Sequence, residues 1–192
     1  LGLNLSTLAF IVGGLSIGIG LGLQQIVANF VSGVILLFEQ SLRPGDVIDI
    51  DGEMATVEKL SIRSTTVRTL NNIEVVLPNE SILSSSVTTY TKTNRLVRVL
   101  LDVGTSYNSD PKEVRDILLQ VATRHGLVQK EPEPYVFFKQ FGESSIDFKL
   151  AIWLKEPTLI NRVSSELYFM IWYALAERNI EIPFPQRDLH LK

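Results

Sequence analysis

The residues of this sequence that most often take part in chemistry are few and widely spaced. The two histidines, His125 and His190, have no candidate nucleophile near them in the sequence, so we expect surface or packing roles for both. The serines at 84–86 and 144–145 fall in predicted loops and turns. Cysteine is absent, which excludes disulfides, thiolate metal sites and cysteine catalysis. The sequence therefore predicts a protein that is not an enzyme and that has no cofactor and no metal site.

One acidic segment partly matches a calcium-binding loop. Asp49, Asp51, Gly52 and Glu58 fit some positions of an EF-hand, but Val47 occupies the first ligand position and the flanks predict strands, not helices. We interpret the segment as a solvated β-hairpin with its turn at Asp51-Gly52. The glycines near the N-terminus do not form a dinucleotide-binding fingerprint, since no strand precedes them.

The N-terminal region has the composition of a membrane segment. Residues 1–38 contain no charged side chain, and a run of this length exceeds the roughly 20 residues that cross a bilayer. A secretory signal would be shorter and would begin with basic residues. We expect one spanning helix, then a shorter amphipathic helix at the membrane interface. The break between the two is predicted near Gln24 and Gln25, or at Gly33.

Small residues are concentrated on two faces of this predicted helix. Seven of the twelve glycines lie in the first 33 residues, although glycine in a helix costs roughly 1 kcal/mol relative to alanine. One face comprises Gly14, Gly18 and Gly22, and the other comprises Gly13, Ser16 and Gly20. In a bilayer, small faces allow helices to pack closely. Two such faces indicate a neighbour on each side, as in a ring of identical helices; a tightly packed bundle is the alternative.

A line of larger side chains lies between the two small faces. It contains Phe10, Ile17, Leu21 and Gln24. In a closed ring this line would face the axis. Ile17 and Leu21 would then form stacked apolar constrictions, which can gate a pore by excluding water.

The remaining residues predict two folded domains. After a turn at 43–46, residues 43–92 contain short β-rich runs at 47–50, 55–60, 65–70 and 74–77, which indicate a small barrel. Residues 93–182 give the order β-α-β-β-α, with strands at 96–103, 135–141 and 146–154 and a helix at 158–179. The first helix of this domain begins at Pro111, with Asp110 as its cap and Glu113 completing a capping box, and ends near Gly126. Residues 183–192 form a C-terminal segment with a short strand predicted at 189–191.

The net charge of the chain is small in every segment. Of the total of −3, residues 1–42 contribute −1, residues 43–92 contribute −2 and residues 93–192 contribute zero, and no segment is strongly basic. Because binding to phosphates requires clustered cations, no nucleic-acid partner is indicated.

Several motifs together carry a family resemblance. The sequence resembles the MscS family, the mechanosensitive channels of small conductance, and the motifs occur in family order over nearly the whole chain. They are GIGLGLQQ at 18–25, Asn29, Gly33, RPGD at 43–46, STT at 64–66, VLPN at 76–79, FGESSIDF at 141–148 and PFPQRDLHLK at 183–192.

The resemblance implies a homo-oligomeric channel, a heptamer, that membrane tension opens to pass ions and small osmolytes during hypo-osmotic stress. It implies an α plus β membrane protein: a pore helix at 1–42 with an amphipathic continuation, a small Sm-like β-barrel at 43–92 and a ferredoxin-like α/β domain at 93–182. Residues 43–192 would lie in the cytoplasm, beneath the bacterial inner membrane. Further transmembrane helices would precede the pore helix.

Carried over by position, the resemblance places the gate rings at Ile17 and Leu21. It places the packing seams on the small residues at 13, 14, 16, 18 and 20, and Gly22 continues the first small face. Gln25 stands where well-known members have a glycine at the main bend, whereas Gly33 matches a second flexible position that is retained.

Two further expectations concern partners. Arg43, Lys59, Arg63 and Arg68 are candidates for contact with lipid headgroups, with ordinary surface roles as the alternative. As an alternative to a channel, the chain would be a non-conducting, membrane-anchored scaffold or sensor whose soluble part binds a ligand. An enzyme with a cleft between the barrel and the α/β domain is the least supported hypothesis.

Overall fold

The computed structural model of the protein describes residues 5–187. Two compact units divide between Lys92 and Thr93. His190 and the strand predicted at 189–191 lie outside the described residues.

The first unit begins with a single long helix, α1 (Leu5–Glu39). It runs without interruption through Gln24, Gln25 and Gly33, so the predicted division into two helices is wrong. The segment contains no proline, and a lone glycine weakens a helix by only about 1 kcal/mol without ending it. A bend within the continuous helix stays a prediction. The helix ends before a turn in which the Arg43 backbone N–H donates to Asp46 Oδ2 at 2.8 Å.

A five-stranded antiparallel sheet follows, with the order β4-β3-β2-β1-β5. Its strands are β1 (Val47–Ile50), β2 (Glu53–Leu60), β3 (Ser64–Thr69), β4 (Glu74–Pro78) and β5 (Thr88–Thr89). The last strand returns to pair with β1 and forms one edge of the sheet, and β4 forms the other edge. Buried Ile48, Val57 and Val67 form the core of this unit together with Leu36 from α1.

The turn between β1 and β2 confirms the hairpin interpretation. Ile50 pairs with Glu53, and Asp51 and Gly52 both adopt positive φ angles, of 54° and 84°. Such a pair gives the two-residue turn that fits the twist of a hairpin. Asp49 accepts a hydrogen bond from the Gly52 N–H at 2.9 Å, so its carboxylate stabilises this turn.

Two elements of this unit were not expected from the sequence. A short helix, α2 (Asn79–Ser84), follows β4 directly, and its Ile82 is buried in the core. Strand β5 lies in the segment predicted as a connection. Both are too short to show a periodic pattern, and tertiary contacts determine them.

The second unit begins with the order β-α-β-β-α. It contains β6 (Val97–Thr105), α3 (Pro111–Arg124), β7 (Tyr135–Phe141), β8 (Ile146–Leu154), a 3-10 turn (Pro157–Leu159) and α4 (Ile160–Glu177). The strands form an antiparallel sheet with the order β6-β8-β7. Alternate side chains of β6, such as Leu101, pack with Leu118 of α3 and Leu167 of α4 in one core.

The helix ends of this unit are held by specific contacts. Asp110 caps α3 as predicted, accepting from the Lys112 N–H at 2.9 Å. Glu113 instead lies 3.4 Å from Arg178 Nη1, so that ion pair replaces the predicted capping box. At the other end, the largely buried His125 contacts Glu166 of α4 at 3.0 Å. Hydrogen bonds from Arg162 and His125 lower the pKa of Glu166.

The FGESSIDF motif at 141–148 contains the loop between β7 and β8, and its side chains form hydrogen bonds at this end of the sheet. Ser145 Oγ and Gln140 Nε2 donate to Asp147 at 2.7 and 3.0 Å, and these hydrogen bonds, with the nearby Lys139, lower its pKa. The backbone N–H of Gln186 donates to Ser144 Oγ at 3.0 Å. The described part of the C-terminal segment is thus attached to this loop without forming a fourth strand.

Candidate functional site

The first two-thirds of α1 have no cover from the rest of the described chain. Every side chain from Ser6 to Val27 is exposed, and most are apolar. The helix is long and apolar enough to cross a membrane. Ile17 and Leu21 stand one turn apart on one face, 67% and 69% exposed. Lipid or another protein chain can therefore contact both side chains.

The small-residue faces are also unpartnered within the described chain. A β-carbon added at Gly13, Gly14, Gly18, Gly20 or Gly22 would meet nothing within 4 Å. Ser16 satisfies its hydroxyl within the helix by donating to the Val12 carbonyl at 2.8 Å, a common arrangement in apolar helices. The structure thus leaves both faces open for neighbouring helices, and their role in packing stays a prediction.

The last third of α1 is attached to α2 and to the β2–β3 turn of the same unit through Gln25, Asn29 and Gly33, which are spaced four apart. Gln25 Nε2 donates to the carboxylate of Glu80. Asn29 Oδ1 accepts from the Glu80 backbone N–H at 3.1 Å, and Asn29 Nδ2 donates to the Gln25 carbonyl at 2.9 Å. Helix α2 has no side-chain cap of its own from Pro78. Asn29 therefore caps α2 from another helix.

Gly33 marks the closest approach in this attachment. A β-carbon at this position would overlap the Ile62 carbonyl oxygen and lie 2.5 Å from Asn79 Nδ2. Gly33 and its neighbour Ser32 are buried. The structure therefore gives Gly33 a packing role: its missing side chain makes room for the backbone of the β2–β3 turn. Its predicted role at a bend is untested.

Asn79 holds the other side of the contact. Its side chain is 1% exposed, yet both polar groups are satisfied: Nδ2 donates to the Ser61 carbonyl and Oδ1 accepts from Thr65 Oγ1, each at 2.9 Å. Because a buried amide without partners is costly, this arrangement fixes the β2–β3 turn in the position that Gly33 contacts. We refer to Gln25, Asn29, Gly33, Asn79 and Glu80 as the docking site.

The opposite side of the same helical segment is apolar and exposed. It includes Ile26, Phe30, Val34, Leu37 and Phe38. The predicted amphipathic character is therefore present, with its small and polar residues directed at the β-sheet. Such a helix suits a position at a membrane interface.

The four cations that are candidates for lipid contact differ in their partners. Arg43, Lys59 and Arg63 are exposed, and none of them forms an ion pair with a described residue. Arg68 instead binds Glu58 and Glu74, each at 2.7 Å. The first three are thus free for an external anion, and lipid contact stays a prediction. No cluster of metal-binding side chains is found among residues 5–187.

Sequence reasoning missed Asn79 and Glu80 as functional partners of α1. A signal existed on the helix side: Gln25, Asn29 and Gly33 recur every four residues in an otherwise apolar run. A polar and small stripe at this spacing lies on one helix face and indicates a docking face. The partner residues lie about fifty positions away, and no periodicity connects them to the helix.

Comparison with known proteins agrees with this architecture. Residues 25–92 match the family described as the beta-domain of mechanosensitive ion channels, and residues 99–182 match the C-terminal family of the mechanosensitive ion channel MscS. The chain is 38% identical to the mechanosensitive channel MscK of Escherichia coli over all of its own length and 17% of that protein. It is 32% identical to an uncharacterized MscS family protein of Buchnera aphidicola, covering 68% of that protein.

A solved structure gives the same picture. The closed-state crystal structure of Helicobacter pylori MscS superposes with a TM-score of 0.89 at 28% identity, over the whole of this chain and 75% of that one. The chain spans about a sixth of the length of some curated relatives, 17% for MscK. The long apolar helix, the β-domain docked on its end and the α/β unit are thus the architecture of the MscS family, and the chain belongs to that family.

Proposed function

We propose that this chain is the pore-lining and cytoplasmic part of a mechanosensitive ion channel subunit. Membrane tension opens the channel and releases ions and small osmolytes during hypo-osmotic stress. The observation that carries the proposal is the exposed line of Ile17 and Leu21 between two small-residue faces, in a chain whose relatives include named mechanosensitive channels.

The assembly follows from the helix surface. A single α1 cannot enclose a path, so several copies must surround an axis. With the small faces of neighbouring helices in contact, Ile17 and Leu21 point to that axis. We assign a homo-oligomer, with seven copies as the family resemblance implies. No cofactor or nucleic acid enters this proposal.

The position in the membrane follows from the distribution of charge. The part of α1 before Glu39, which carries no charge, spans the bacterial inner membrane, and residues 43–192 lie in the cytoplasm. Arg43, Lys59 and Arg63 are exposed and without carboxylate partners among the described residues, which favours contact with anionic headgroups.

Two physical changes open the channel: an increase in the membrane area that it occupies, and the entry of water into its apolar constriction. Tension favours whichever state occupies more membrane area, and an apolar constriction conducts only when it is wide enough to hold water. Separation of the α1 helices at Ile17 and Leu21 achieves both. The closed state is the one in which these side chains meet.

Patch recordings of the complete protein, in a membrane without other stretch-activated channels, test this proposal. We expect a conductance that appears above a threshold suction and disappears when suction is released. A protein that is present in the patch and gives no conductance up to membrane rupture would overturn it.

A further inference from the structure

Phe10 is an aromatic side chain in a part of α1 that otherwise contains aliphatic, small and a few polar residues. It is the first aromatic residue of the sequence, and the next is Phe30. Phe10 is 87% exposed, so the rest of the described chain contributes almost nothing to its surroundings. The proposed gate uses Ile17 and Leu21 and leaves the aromatic ring of Phe10 without a function.

The helical repeat fixes the position of Phe10 on α1, which is continuous over this segment. Successive residues are rotated by about 100°, which places Phe10 midway in angle between Ile17 and Leu21, about 20° from each. The rise of about 1.5 Å per residue places it roughly 10 Å from Ile17 and roughly 16 Å from Leu21 along the helix. Phe10 therefore faces the same surroundings as the two gate candidates, on their N-terminal side.

We propose that the Phe10 side chains of the assembled channel form an aromatic ring in the pore that binds quaternary ammonium ions. This inference rests on the proposed function, because a ring requires several copies of α1 around one axis. The site lies between the periplasmic mouth of the pore and the constriction at Ile17. An ion therefore reaches it from the periplasm without passing the gate.

The chemistry of the segment selects an organic cation as the ligand. Residues 1–38 contain no charged side chain, so only the aromatic ring distinguishes a cation from an anion on this part of the line. The face of a phenylalanine ring carries negative electrostatic potential, and aromatic cages are the sites in which proteins recognise quaternary ammonium groups. The alkyl groups of such an ion also gain free energy from contact with apolar side chains.

The dimensions of a seven-membered ring suit this ligand. Helices packed about 8–10 Å apart place their own axes roughly 9–12 Å from the pore axis. Each helix with its side chains has a radius of about 5–6 Å, which leaves an opening of roughly 3–6 Å in radius. A cation on the pore axis would thus lie within the distance of about 6 Å at which a ring face attracts it. Several copies of Phe10 would act on it together.

Block of the stretch-activated current by tetraethylammonium tests the proposal, with the full-length protein in excised patches and the ion on the periplasmic side. We expect a reversible block. Phe10→Tyr should retain it, whereas Phe10→Leu, which keeps an apolar side chain without a ring face, should raise the half-blocking concentration at least about tenfold. Ile19→Ala changes a residue on the opposite side of α1 and should leave the block unchanged.

The block is measured for each variant relative to its own current, so a change in conductance does not affect the comparison. An unaltered channel that is not blocked, or an equal block in Phe10→Leu, would overturn the proposal. A channel that opens under suction but is not blocked refutes this inference alone. A protein without any stretch-activated current refutes the proposed function, and this inference with it.

Discussion

Gly33 of α1 lies against the Ile62 carbonyl so closely that no side chain fits between them. The pore-lining candidate helix and the β-sheet that follows it in the chain therefore form one mechanical element at this point. A force on the C-terminal third of α1 is therefore transmitted directly to the β2–β3 turn.

Gly33→Ala should loosen the attachment of α1 to the β-sheet. The added methyl group overlaps backbone atoms, which cannot move aside as a flexible side chain would, so we expect a loss of about 2 kcal/mol or more. Thermal unfolding of the purified protein measures it. Gly126→Ala is the matched control, since a β-carbon there meets nothing within 4 Å. Equal stability of both variants would show that the close approach is absent in solution.

Asn29→Ala should release the N-terminus of α2. The Glu80 N–H would lose its acceptor, and loss of a helix cap costs about 1 kcal/mol. We expect faster hydrogen exchange at Glu80 and the following amides. Asn108→Ala, which changes an exposed asparagine in the other unit, serves as control. Unchanged exchange at α2 would mean that Asn29 does not act as the cap.

The sequence indicated most of this fold through local patterns. Strands β7 and β8 have the predicted limits because each is a dense apolar run bounded by turn residues. The Asp51-Gly52 hairpin was identifiable because few residue pairs tolerate positive φ at both positions. Asp110 was identifiable as a cap from its position before Pro111.

The docking site was much less accessible to sequence reasoning. The sequence predicts that Gly33 is a point of flexibility, because a glycine weakens a helix. The same residue type also suits a position where another segment of the chain packs closely against the helix. The packing role becomes visible only from the positions of Ile62 and Asn79 in space. Glu113 is a similar case: its spacing fits a capping box, but Arg178, brought near by the end of α4, forms an ion pair with it.

Acidification should destabilise the α/β unit through Asp147. Hydrogen bonds from Ser145 and Gln140 lower the pKa of this carboxyl. Its contribution to stability is therefore complete above the usual carboxyl pKa near 4, and it is lost as the pH falls through the lowered value.

Ser145→Ala should reduce this acid sensitivity, because it removes the hydrogen bond that contributes most to the lowered pKa. Denaturant unfolding at pH 6 and pH 3 should show a smaller difference for Ser145→Ala than for the unaltered protein. Ser144→Ala, which keeps both hydrogen bonds to Asp147, is the control. An identical loss on acidification in all three proteins would exclude Asp147 as the group responsible.

Leu21→Ser should lower the tension needed for opening. A hydroxyl at the constriction favours water in the pore and thus stabilises wetted states. Ile19→Ser is the control, since Ile19 lies on nearly the opposite side of α1. The threshold suction in patch recordings is the readout. A threshold that is unchanged by Leu21→Ser would place the gate elsewhere.

Cysteine accessibility during conduction tests most directly whether α1 lines a tension-opened pore at Ile17 and Leu21. This chain contains no cysteine, so Ile17→Cys, Leu21→Cys and the control Ile19→Cys can each be made singly, with any other cysteine of the full-length protein removed. A charged thiol reagent is applied while suction holds the channel open. Current through the Ile17→Cys and Leu21→Cys channels should fall irreversibly, while current through the Ile19→Cys channel should be unaffected. Tension-activated current that is insensitive at positions 17 and 21, or equally sensitive at 19, would contradict this assignment.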